Sequence, residues 1–263
     1  MKQRIVTGVL AGLAFAMLVV LGGWYYKGLL LILALIGFYE YIRLNGYPLR
    51  DPLALLGLIG MLAIAAPLQD MGLPRVPPET IVWSLMFALL AVTVLTKNRA
   101  TLDGSALMLM GAVYVGFGFS AMMAVRGIEP GGLFLSALTF GAIWASDAGA
   151  YFVGKTVGRH KLWPAISPNK TIEGALGGVL LSLIVCLISA LVAPEWISVG
   201  RALTIGIIAS VAGQLGDLIQ SAYKRLRGVK DSGKLLPGHG GVLDRCDSWL
   251  IVFPLLTLTG VLG

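Results

Sequence analysis

The chain has 263 residues, of which 57% are hydrophobic and only 13% charged, and its mean hydropathy is +0.86. A soluble globular chain averages about 25% charged residues, so this composition excludes an ordinary soluble domain and points to one integral membrane domain. The formal charge of +7 raises nucleic acid as a partner, but the basic residues are distributed as a cytoplasmic membrane surface would have them. Two cysteines, Cys186 in an apolar run and Cys246 in a polar one, make no disulfide framework, and an isolated Cys246 beside acids reads as a bystander rather than a nucleophile.

Apolar segments of near-spanning length, about 20 residues for a hydrocarbon core of about 30 Å, succeed one another along the chain. They run over 5–24, 27–44, 52–68, 80–96, 104–125, 133–152, 173–193, 202–223 and 247–263. The expected fold is all-α, about nine transmembrane helices in a single polytopic domain covering 1–263. The first helix follows Lys2 and Arg4 but lacks a small-x-small cleavage site, so it is read as retained rather than as a signal peptide. Pro74, Pro77 and Pro78 mark 69–79 as a turn, and Pro194 closes the seventh helix.

With nine spans the joints alternate between two sides. Sixteen Lys/Arg fall with the N-terminus, and four (Lys27, Arg75, Arg126 and Arg201) fall opposite. The positive-inside bias puts the N-terminus in the cytoplasm and the C-terminus outside, as expected for a multi-pass protein of a bacterial inner (cytoplasmic) membrane. Both His160 and His239 then lie inside, on the polar loops 153–172 and 224–246. Acids reach into the helices beside those loops: Asp147, Asp217, Glu173 and Asp247. Ionisable groups at membrane depth are costly and face a polar interior, so each is a candidate. Glu40 falls under the same suspicion, with an interfacial ion pair to Arg43, one turn on, as the alternative.

Gly149 to Thr156 fits the phosphate-loop pattern G-x-x-x-x-G-K-[ST] letter for letter. That motif needs a loop between strand and helix, whereas these residues are bulky, apolar and end a transmembrane helix, so close helix packing through the glycines is the reading preferred. The stretch from Gln220 to Ser248 is different. Its 29 residues hold six Lys/Arg and three Asp, with Pro237 and five glycines that rule out a plain helix across the middle. Asp244 and Asp247, three apart, share a face if helical, and Asp217 comes from the preceding helix. Such carboxylates suit one or two Mg²⁺ ions, which take oxygen ligands, waters and substrate phosphates; pairing with nearby cations is the plainer alternative. Lys170, Lys224, Arg225, Lys230 and Lys234 can hold phosphates or merely decorate a cytoplasmic face. Thr171 suits a helix cap, and His239 reads equally as a ligand, a phosphate contact, a proton carrier or a loop histidine.

The pattern Ser221-Ala-Tyr223-Lys224-Arg225, then Lys230-Asp231-Ser-Gly, then Leu236-Pro237-Gly-His239-Gly-Gly-Val-Leu-Asp244-Arg245-Cys246-Asp247 resembles the signature of the phosphatidate cytidylyltransferases, the CDP-diacylglycerol synthases. Tyr223 and Cys246 stand where that signature has an aliphatic residue or Phe. Ser146-Asp147 to Tyr151, Ser167-Pro-Asn169-Lys170-Thr171 to Gly174, and Gly216-Asp217 to Ser221 resemble it too, so the likeness covers about 140–250. It implies a catalytic part over 131–263 and leaves 1–130 as anchoring helices, a dimer interface or a lipid groove. It also implies transfer of CMP from CTP to phosphatidic acid, a requirement for Mg²⁺ (one ion or two, the second open to a different cation) and a homodimer. By position, Asp217, Asp244 and Asp247 are the expected metal carboxylates. Lys170, Lys230, Asp231 and His239 are the expected catalytic set, with Asp231 orienting Lys230 or Lys234. Asp147, Ser167, Asn169, Lys224, Arg225, Lys234 and Arg245 are expected at the substrates, Asp147 beside the lipid headgroup. The rivals are another CTP-using lipid or polyprenol kinase and an ion-coupled transporter; pyrophosphate, CDP or neither as product separates the three.

Overall fold

The computed structural model describes residues 2–74, 76–233 and 240–262, with side chains from Gly8 onward. The chain divides into two compact units, Met1–Met123 with Asp231–Leu243, and Ala124–Lys230 with Asp244–Gly263.

The first unit carries α1 (Lys2–Leu21), α2 (Gly23–Leu44), α3 (Pro52–Ala65), a single 3₁₀ turn (Leu68–Met71), α4 (Pro78–Leu95) and most of α5 (Leu102–Arg126). The break between α1 and α2 falls at Gly22 and Gly23, earlier than the joint expected at 24–27. Both glycines have positive φ, 63° and 52°, a region that residues with a Cβ rarely enter. Asp51 caps α3 by accepting from the Leu53 amide at 2.8 Å. Pro67 ends it, because the residue before a proline is driven out of the helical region and Ala66 is extended (φ −67°, ψ 136°). The helix is therefore 14 residues long, shorter than the 52–68 expected. Glycines let neighbours approach: the Tyr41 ring lies over Gly111, and Phe38 fills the space beside Gly57.

The second unit carries α6 (Gly132–Val157), α7 (Ile172–Val192), α8 (Val199–Leu226) and α10 (Trp249–Leu258), with α9 (Leu243–Cys246) a single turn starting at the last residue of the first unit. The expected all-α fold has one exception: β1 (Lys161–Trp163) and β2 (Ser167–Thr171) form an antiparallel hairpin within the polar loop 153–172. α7 inverts the soluble pattern. Gly174, Gly177, Gly178, Ser182, Cys186 and Ala190 are buried, while Leu176, Leu180, Ile184, Ile188 and Leu191 face outward. Large apolar groups outside and small ones inside suit a helix whose solvent is lipid and whose neighbours pack by close backbone approach.

Among the described residues five helices, α4 to α8, are long and apolar enough to cross a membrane, and Gly8–Leu21, Pro52–Ala65 and Trp249–Leu258 are shorter apolar helices. The molecule is a multi-pass membrane protein. The final helix runs 10 residues rather than the expected 247–263, because Asp247 and Ser248 form a turn before it and Gly260, with φ 66°, follows its end.

Candidate active site

The site is built in the second unit from α6, α7 and α8. Gly149 and Gly154, the glycines of the phosphate-loop pattern, lie inside α6 and face α7. A methyl on Gly149 would sit 2.6 Å from the Gly177 carbonyl oxygen, and one on Gly154 would meet Thr171 and Gly174. The pattern is a packing seam, not a phosphate loop. Just above it Gln214 of α8 donates to Ser146 Oγ of α6 at 3.3 Å and to the Ala175 carbonyl of α7 at 3.2 Å, so one side chain holds three helices together.

The hairpin delivers a lysine to this junction. Thr171 ends β2 and caps α7, its Oγ1 accepting from the Gly174 amide at 3.1 Å. Glu173, beside it, accepts from the Arg159 and His160 amides and pairs with the His160 ring at 2.5 Å, which fixes the hairpin base to the helix start. On β2 Asn169 is exposed, while Lys170 is partly buried with Nζ 2.6 Å from Asp217 Oδ2 and 3.4 Å from the Gln214 carbonyl. Ser167, two residues before Asn169, is partly buried.

Small residues on α8 admit the chain before α10. Ser248 Oγ donates to the Gly213 carbonyl at 3.0 Å, and a Cβ on Gly216 would lie 2.7 Å from the Asp247 carbonyl. Asp247 is thereby held against α8 in the turn outside the helix, its Oδ1 accepting from the Ser248 amide at 2.8 Å. Burial, then the Asp217 carboxylate, push its carboxyl up to about 7; the Asp147 charge acts in the same sense and Lys224 opposes it. Asp147, exposed on α6, lies within electrostatic reach of Asp217 and Lys170. Three acids and one close lysine therefore share a neighbourhood. Asp244 forms an ion pair with Lys224 at 2.6 Å, with the two side chains only 5% and 11% exposed, and Lys224 is within electrostatic reach of Asp247.

The remaining expected residues are more peripheral. Arg225 is exposed and donates to the Val229 carbonyl at 3.2 Å. Lys230 and Arg245 are exposed in the second unit, and Asp231 is exposed in the first. Lys234 and His239 lie outside the described residues. Cys246 and Cys186 are buried. In the first unit Arg43 donates to the Tyr39 hydroxyl at 3.2 Å and lines a cavity of about 460 Å³ with Tyr39, Gly46, Tyr47, Pro48 and Leu49. The alternative of a Glu40–Arg43 ion pair does not form, because Glu40 points inward and bonds to residues some 200 positions away. No local spacing could have revealed that partnership.

Among the described residues no three His, Cys, Asp or Glu side chains by themselves form a ready metal cage. Mg²⁺ asks for less, one or two carboxylates completed by water and substrate phosphates. Asp147, Asp217 and Asp247 fit that demand chemically: all donors are hard oxygens, and the charge they place together exceeds what Lys170 offsets.

Comparison with known proteins agrees with this chemistry. A family model described as "Cytidylyltransferase family" matches residues 2–262. The chain is 41% identical over 258 residues to the phosphatidate cytidylyltransferase of Bacillus subtilis (strain 168), covering 97% of this chain and 96% of that one. It is 40% identical over 260 residues to the protein of the same name from Staphylococcus haemolyticus (strain JCSC1435), covering 98% of each. The same identity holds over 258 residues with that of Staphylococcus aureus (strain COL), again covering 98% of each. With acids, lysines and apolar helices arranged as described and the likeness running from end to end, this chain belongs to the cytidylyltransferase family.

Proposed function

We propose that the protein transfers CMP from CTP to the phosphate of phosphatidic acid, releasing pyrophosphate and leaving CDP-diacylglycerol in the bilayer. The observation that carries this reading is the gathering of Asp147, Asp217 and Asp247 with Lys170 in a chain that matches cytidylyltransferases along its length. A phosphate monoester is already a nucleophile at neutral pH, so the reaction demands no strong base. Its oxygen bonds to the α-phosphorus of CTP while the bond from that phosphorus to the α–β bridging oxygen breaks, and pyrophosphate departs with the electron pair. The difficulty is bringing two polyanions together.

Each residue set answers part of that difficulty. Lys170, held on β2 and tied to Asp217, supplies a point charge at the junction, while exposed Arg225 and Lys230 can reach phosphate oxygens from the end of α8. Asp147, Asp217 and Asp247 would hold Mg²⁺, which when bound neutralises phosphate charge as it builds on the leaving group. Lys224 is committed to Asp244 and orders the segment rather than meeting substrate directly. The acyl chains stay in lipid against outward apolar faces such as that of α7. CTP arrives from the cytoplasm, the side of the N-terminus in an inner-membrane orientation. The test is pyrophosphate release by the purified protein in detergent, omitting CTP, phosphatidic acid and Mg²⁺ in turn. Release that needs all three, with a CMP-bearing lipid as product, supports the reading. CDP as product would mark a kinase, and no nucleotide turnover in a folded sample would overturn it.

A further inference from the structure

Glu40 is the polar side chain that the mechanism above leaves unused. It sits on α2 and is only 6% exposed. Burying a carboxylate is expensive unless its oxygens are hydrogen-bonded. Glu40 Oε1 accepts from the Val242 amide, and Oε2 accepts from the Leu243 amide and from Ser232 Oγ, each at 3.0 Å. The backbone rides directly on this group. A Cβ at Gly233 or at Gly241 would collide with the Glu40 carboxylate, so glycine is needed at both positions for closeness rather than for flexibility. One turn earlier Gly37 leaves room for Val242 and Leu243, both buried. Helix α2 thus holds the segment twice, by its side chains at Gly37 and by its backbone at Glu40.

Two parts of the polar signature meet on one carboxylate: Ser232 and Gly233 follow Lys230 and Asp231, and Leu243 precedes Asp244 and begins α9. We propose that Glu40 is a positioning residue for the transfer reaction, fixing the backbone of 232–233 and 241–243 so that Lys230 and Asp244 leave the segment in a set direction. This rests on the reaction proposed above. It gives the N-terminal helices a part in turnover beyond anchoring.

The test uses the full chain in detergent, with pyrophosphate release, thermal unfolding and amide exchange measured on each variant. In Glu40→Gln one oxygen becomes an amide donor facing a backbone donor, so kcat should fall at least about tenfold while KM for CTP and for phosphatidic acid stays within about threefold. The buried donor pair should lower its unfolding temperature by several degrees while the transition stays cooperative, and the Val242 and Leu243 amides should exchange faster. Ser232→Ala should lower kcat about threefold in the parent and not further in the Glu40→Gln background, since both act through one group. A folded Glu40→Gln with kcat within about twofold of the parent, or a Ser232→Ala effect that simply adds, overturns the proposal. If Glu40→Gln fails to fold, Ser232→Ala decides alone: unchanged kcat and exchange overturn it. Absence of pyrophosphate release from the parent would sink the proposed reaction instead, while the exchange arm still judges the clamp.

Discussion

Glu40 in the first unit and the Asp147, Asp217 and Asp247 group in the second are all carboxylates carried by or beside apolar helices, yet their surroundings are opposite. Glu40 is buried and well satisfied: two backbone amides and a hydroxyl donate to its oxygens. The three aspartates repel one another, with Lys170 on one oxygen of Asp217, the Ser221 hydroxyl 3.5 Å from the other, and the Ser248 amide on one oxygen of Asp247. A buried carboxylate with about three of its four acceptor sites taken by the protein has little left for a ligand and serves structure. An under-neutralised group keeps lone pairs and unspent charge for a cation and its phosphates. Charge alone would have ranked Glu40 with the aspartates; burial and the donors on its oxygens separate it from them.

The strongest way to break this contrast is Asp247→Ala. Removing an oxygen ligand at the reacting phosphates should lower turnover at least about a hundredfold, while the protein still inserts and folds. Pyrophosphate release by the purified variant reads the first expectation, and a cooperative unfolding transition the second. Retention of most of the rate would remove Asp247 from the ligand set. The Lys224–Asp244 pair should behave as structure instead. Lys224→Met leaves a buried acid without its partner, which costs about 3–5 kcal/mol, measurable as a lower denaturant midpoint in detergent. Adding Asp244→Leu should recover most of that loss, because replacing both members of a buried pair by apolar groups is often neutral. A double variant as unstable as the single one would show Lys224 supporting something other than Asp244.

Much of this was legible in the sequence because polar residues are conspicuous in so apolar a chain. The helices, Thr171 as a cap and the packing role of Gly149 and Gly154 follow from local pattern. What escaped depends on long-range geometry. Asp244 and Asp247 would share a face only on a continuing helix, but α9 stops at Cys246, so Asp244 pairs with Lys224 in the last turn of α8 while Asp247 lies against Gly216, two turns earlier on the same helix. The hairpin is too short and too polar to show strand alternation: Lys161–Trp163 is three residues and Ser167–Thr171 five. Glu40 was noticed as an acid at depth, yet its partners Ser232, Val242 and Leu243 lie far along the chain, and the nearest cation by spacing, Arg43, misdirects.

Lys170 tests the second unit on a finer scale. It is the cation placed at the aspartates by the hairpin, and Lys170→Gln should reduce kcat/KM about tenfold, less than Asp247→Ala, since a bound cation still neutralises much of the same charge. The effect should also depend on Mg²⁺: the variant needs more of it to reach half its maximal rate if Lys170 orients Asp217, and less if Lys170 competes for that oxygen. A titration of rate against Mg²⁺ separates the two.

The smallest effect is expected at Arg43, and it bears on the first unit. If Glu40 were half of a surface ion pair, Arg43→Gln and Glu40→Gln would weaken the protein alike, each by the few tenths of a kcal/mol that an exposed helix pair contributes. Instead Arg43 is exposed and lies over the Tyr39 ring, 5.8 Å from its centroid, and donates to its hydroxyl, while Glu40 is buried. Losing that exposed contact should leave kcat within about twofold of the parent, against the at least tenfold loss expected at Glu40, three residues earlier on the same helix. Rates measured side by side in one detergent preparation give the ratio directly. Equal losses would mean that the helix surface, and not the buried carboxylate, is what turnover feels.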